Sequence, residues 1–158
     1  MRILGDLDLT QLITAAVGFL VAVLWFDLMF DVQVLPHRRS SQVPDNVLDS
    51  ISAYYRRVTT TASPMGRLVG LTMLVLLALL VAEAARSAVP VWVSAFSLSA
   101  AGLAIGLAIG RVFGAARRLG TRTDPRDVQT RLARSIFRDH VICLAAMVGL
   151  MAVQLTSP

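Results

Sequence analysis

Two carboxylates interrupt an otherwise apolar run. Asp27 and Asp31 fall within LITAAVGFLVAVLWFDLMFDVQVL, residues 12–35, and a spacing of four places both on one helical face. A carboxylate in or near hydrocarbon either pairs with a cation or takes up a proton, because leaving it charged and alone costs several kcal/mol. The order of the apolar runs puts Arg67, Arg111, Arg138, Asp139 and His140 toward the same end as the two acids, so several of these side chains can meet. Two chemistries are open to such a cluster: an ion-pair network that fixes helix register, or a site that accepts a proton or binds a ligand. Asp27 lies about 6 Å deeper than Asp31 by helical rise, so it is expected to need a partner more, with Arg111, Arg138 and His140 as the candidates.

Other reactive residue types point elsewhere. His37 and His140 are the only histidines; His37 sits in a polar loop and His140 borders charged residues, so haem ligation is not expected and neither cofactor nor metal is predicted. Cys143 has apolar neighbours and reads as a small core residue, and Met147 and Met151 as core filling. No P-loop, GxSxG elbow, HExxH or CxxC is present. Gly102, Gly106, Gly110 and Gly114 recur every four residues within AAGLAIGLAIGRVFGAARRLG, residues 100–120. On a helix they form a stripe without side chains, which in a bilayer lets a second helix approach to backbone contact. The stripe lies in an apolar helix and is no nucleotide fingerprint.

The elements that must carry these residues are helices in lipid. Hydrophobic residues make up 56% of the 158 and charged residues only 16%, and mean hydropathy is +0.68, which predicts an all-α, polytopic integral membrane protein: a four-helix transmembrane bundle in a single domain, residues 1–158. Spans are expected at about 12–35, 66–85, 90–112 and 135–156, each close to the length that crosses a hydrocarbon core of about 30 Å. Between the first two spans, residues 45–62 form an amphipathic segment, read as a short interfacial helix capped by Asp45, with Tyr54, Tyr55, Arg56 and Arg57 in the headgroup layer. Glu83 and Arg86 read as an exposed interfacial pair, SAVP as a tight hairpin, Trp92 as an interface anchor, and Asp124 as the cap of the last helix.

All fifteen basic residues are arginine, and the formal net charge is +5. They flank the spans instead of forming a stripe on a polar domain, so a nucleic-acid partner is not expected. Thirteen lie after the first span or around the third-to-fourth connection, whereas only Arg2 and Arg86 lie on the other side. Positively charged loops are retained in the cytoplasm, which predicts a multi-pass protein of the inner (plasma) membrane with both termini on the non-cytoplasmic side. Arg2, Asp6 and Asp8 make no positive leader, and the first run is too long for a cleaved signal peptide.

One span, a polar loop, the amphipathic YYRRVTTTASP segment and three further spans, in that order, resemble the small four-helix bacterial membrane proteins of the anthrone-oxygenase-like group. The resemblance covers layout and carries over no catalytic residue. It implies a membrane-bound oxidase or a binding protein for a hydrophobic substrate. The residues themselves support two function classes. One is a non-enzymatic subunit or scaffold that packs through its glycine face, as a homo-oligomer or against a membrane-protein partner. The other is a small proton-coupled transporter, channel or membrane-bound oxidoreductase using the Asp/Arg/His cluster.

Overall fold

Each of the four apolar runs is a helix, the conformation that satisfies every backbone N–H and C=O within its own segment. The computed structural model describes residues 8–61 and 63–156; Arg2 and Asp6 lie outside them. Helix α1 spans Leu9–Asp31 and continues as a 3-10 stretch, Val32–His37, that contains Pro36. Helix α2 (Asp45–Arg56) and a π-helical turn (Arg57–Thr61) lead into α3 (Ser63–Ala85). Helix α4 (Val91–Leu107), a second π turn (Ala108–Val112) and α5 (Phe113–Thr121) make one continuous rod, and α6 runs from Arg126 to Thr156. Four rods, Leu9–His37, Pro64–Ala85, Val91–Thr121 and Arg126–Thr156, are long and apolar enough to cross a bilayer. The third extends more than two turns past residue 112 and the fourth begins near 126, because their arginine-bearing ends are helical as well.

Helix α1 packs against α3 and α6, and α4 packs against the same two, while the backbones of α1 and α4, and of α3 and α6, stand farther apart across the diagonals. Successive rods are therefore antiparallel neighbours around a square. Ile13, Val17 and Leu20 of α1 meet Leu76 and Leu80 of α3, Ala101 and Ala104 of α4, and Met147 and Leu150 of α6 in the main core. A second core lies under α2: Leu48, Ile51 and Tyr55 pack on Val112, Ala116 and Leu119 and on Ala133 and Ile136 of α6.

This second core gives the apolar face of α2 a protein partner. That face is buried against α5 and α6, and Tyr55 is 2% exposed. Asp45 does not cap α2. The helix starts after Pro44, and Asp45 pairs instead with Arg122 and Arg126 at 3.6 and 3.4 Å. Asp124 likewise turns from the head of α6 to accept from both Nε and Nη2 of Arg118 at 2.8 Å. That partner holds its carboxyl below the usual carboxylate range.

The glycine stripe does not pack within the bundle. A Cβ added at Gly102, Gly106, Gly110 or Gly114 would meet nothing within 4 Å, and all four residues are exposed. The face that packs is the alanine row Ala100, Ala101, Ala104, Ala108 and Ala116. A methyl buries apolar area and still admits a close helix, whereas glycine offers nothing to bury. Residues four apart drift by about 40° per step on a regular α-helix. The wider π turn at Ala108–Val112 offsets part of that drift, which keeps Ala104, Ala108, Val112 and Ala116 directed inward.

Candidate acid-base site

The two cores are separated by a polar layer, built where α1 ends, α6 begins its apolar stretch and α2 crosses beneath. Asp31, in the last turn of α1, is 0% exposed. Its Oδ1 accepts from the Tyr55 hydroxyl at 2.7 Å, and its Oδ2 lies 2.7 Å from Nδ1 of His140. One turn earlier, Asp27 Oδ1 accepts from the Tyr54 hydroxyl at 2.6 Å, and Oδ2 stands 3.8 Å from His140 Nε2. His140 is thus flanked by a carboxylate on each ring nitrogen. With Nδ1 donating to Asp31, Nε2 is the nitrogen left to exchange a proton.

The tyrosines follow from α2 as a helix. Adjacent residues diverge by about 100°, so Tyr54 and Tyr55 straddle the end of α1 and each reaches one acid. Phe30 stacks on Tyr54 with ring centroids 4.0 Å apart, and Tyr54 meets Tyr55 edge-on at 5.3 Å. Burial first, and then the neighbouring carboxylates, push both phenols up from their ordinary value, so they remain hydrogen-bond donors throughout the neutral range.

Of the cluster expected from sequence, Asp27, Asp31 and His140 come together. Asp139 lies beside them and takes the two arginines: Arg111 Nε at 3.0 Å and Arg138 Nε at 3.2 Å, both guanidinium chains about half exposed. The partners of Asp27 are therefore His140 and Tyr54, not an arginine. Arg67 is exposed, outside the cluster. His37 is separate too, its backbone carbonyl accepting from Arg134 Nη2 at 2.7 Å. Depth and burial also part company. Asp27 is closer to the middle of the bundle, yet its side chain retains 15% exposure while that of Asp31 has none, because α2 and α6 close over the end of α1.

Above the polar layer lies a cavity of about 60 Å³ among α1, α3, α4 and α6, with Asp27, His140 and Cys143 in its lining. The small side chains of Ala104 and Ala108 face Leu20, Leu76 and Met147 across it. Met73, Ile105 and Phe113 line this cavity and also an apolar groove of about 250 Å³ on the outside of α3 and α4, so they form the wall between interior and exterior. Cys143 is buried, and its Sγ donates to the Ala104 carbonyl 3.7 Å away.

Sequence reasoning missed the tyrosines and a second buried polar group, Glu83, Ser97 and Gln154. Glu83 is 1% exposed and bonded to Gln154 Nε2 at 2.8 Å, not paired with Arg86, which is exposed. A signal for Gln154 was present: His140, Cys143, Met147, Leu150 and Gln154 alternate spacings of three and four and share one buried face of α6. Among the described residues no group of three His, Cys, Asp or Glu side chains suits a metal ion. Comparison of the chain with family models, with curated proteins and with solved structures finds no match.

Proposed function

We propose that this is a multi-pass protein of the inner membrane, with both termini outside the cytoplasm, that draws a small apolar molecule bearing an acidic hydrogen from the bilayer and exchanges that proton at His140. The observation that carries this reading is the His140 ring: Asp31 fixes Nδ1 from behind, and Nε2 stands beside Asp27 at the polar end of an apolar cavity. A proton leaving the ligand passes to Nε2, and the imidazolium so formed lies between two carboxylates that stabilise it. Tyr54 and Tyr55 hold those carboxylates in place. The ligand is small, since 60 Å³ admits only a few heavy atoms until Met73 and Met147, both flexible side chains, move aside. Entry from lipid past Met73, Ile105 and Phe113 fits an apolar molecule.

The test is binding of 4-nitrophenol, whose absorption band shifts on ionisation, to the purified protein in nanodiscs. Wild type is expected to bind it with the phenolate band. His140→Gln should bind it unionised, and Ala108→Leu, which fills the cavity, should not bind it. Identical spectra for wild type and His140→Gln, or no binding by wild type, would refute the proposal.

A second reading keeps the chain as a scaffold. It is favoured by the four outward-facing glycines, which leave a groove on α4 and α5 where a helix of a second copy or of a membrane partner can approach closely.

A further inference from the structure

At the opposite end of the bundle from His140, the hairpin between α3 and α4 closes over a buried carboxylate. Glu83 is 1% exposed, and none of the ion pairs among the described residues includes it. Its neighbours are neutral. Gln154 Nε2 donates to Glu83 Oε2 at 2.8 Å and to Ser97 Oγ at 3.2 Å. Ser97 is 0% and Gln154 3% exposed, and Gln154 Oε1 is buried with no hydrogen-bond partner. Two anomalies therefore share one spot: a buried carboxylate with no cation paired to it among the described residues, and an amide oxygen without a donor. Turning the amide by half a revolution exchanges its oxygen and nitrogen, and brings that oxygen against Glu83 and Ser97. The three side chains then present a carboxylate, an amide oxygen and a hydroxyl oxygen, a hard-oxygen set carrying one negative charge.

We infer that Glu83, Gln154 and Ser97 bind a single monovalent metal cation, a sodium ion, with the Gln154 amide turning its oxygen inward when the charge arrives. One negative charge in a buried site selects a +1 ligand, because a divalent ion would leave a net charge without water to solvate it. The other charged groups of the described chain at this end are Arg86, on the same helix, and Asp8, ahead of α1, and both are exposed; α4 presents Ser97 and α6 presents Gln154. The site is separated from the His140 layer by Leu76, Leu80, Met147 and Leu150, all buried, so it stands or falls independently of the nitrophenol result.

Dicyclohexylcarbodiimide, an apolar reagent that modifies protonated carboxyl groups, provides the test on the intact protein in nanodiscs, with labelled residues located by mass spectrometry. Sodium is compared with choline at equal ionic strength, and melting is followed in parallel. If the ligand is sodium, sodium suppresses labelling at Glu83 several-fold and raises Tm by a few degrees. Glu83→Gln then shows no sodium response, and Ser97→Ala needs several-fold more sodium for the same protection. Labelling and melting that do not respond to sodium would reduce the cluster to a fixed hydrogen bond and overturn the inference.

Discussion

At the scale of single residues, the two Tyr-Asp pairs differ in how much each acid depends on its phenol. Asp31 has no access to solvent, so losing the Tyr55 hydroxyl leaves one carboxylate oxygen without a donor. Tyr55→Phe is expected to destabilise the protein by about 1–3 kcal/mol, and Tyr54→Phe by less, since water reaches Asp27. Unfolding by graded sodium dodecyl sulfate compares them; equal losses would mean that Asp27 is sealed as well. The pH dependence has a definite sign. Both phenols are raised above the unfolded value of 10 in the folded protein, so their contribution is complete below pH 10 and is lost as pH climbs toward the folded values. Between about pH 9 and 11, wild type should therefore lose stability more steeply than the Tyr54→Phe/Tyr55→Phe double variant. Parallel melting curves for the two proteins over that range would contradict this.

At the scale of elements, the helices were legible and their rotations were not. Length and apolar content place all four rods, because a bilayer-length run can only be helical. Which side faces inward depends on contrast between faces, and α3 is leucine-rich all round, so the buried row Val69, Leu76, Leu80 and Glu83 is invisible in its sequence. On α4 the conspicuous residues misdirect: glycines draw the eye to a face that is open, while the alanines one or two positions away do the packing. For α2 the tyrosines fit a headgroup layer equally well, and only the position of Asp27 and Asp31 across the loop gives them a buried partner. The corrected α4 makes a clear expectation. Gly106→Leu should change the stability of the isolated protomer by no more than about 0.5 kcal/mol, whereas Ala101→Leu, at 0% exposure, should cost about 1–3 kcal/mol through overpacking. Thermal melting in detergent separates them, and light scattering on the same samples reveals whether Gly106→Leu dissolves an oligomer. A large melting shift for Gly106→Leu in a monomer would put a neighbour against the open face.

At the scale of the whole molecule, the polar layer and α2 lie at one end, and the arginines around α2 and α5 give that end its charge. With Cys143 changed to Ala, a Ser87→Cys variant should react with a membrane-impermeant maleimide on intact cells, and a Ser40→Cys variant only after permeabilisation. The reverse pattern would invert the proposed orientation. His140 stands 109 residues after Asp31 in the chain. At roughly 5–20 residues per second of synthesis, α1 waits on the order of 5–20 s for the imidazole that will face its second acid, and α2 cannot finish its own docking without α6 beneath it. During that interval the nascent chain holds a carboxylate pair with its histidine still unmade. A chain that stops before α6 therefore lacks the imidazole that both Asp27 and Asp31 face in the finished bundle.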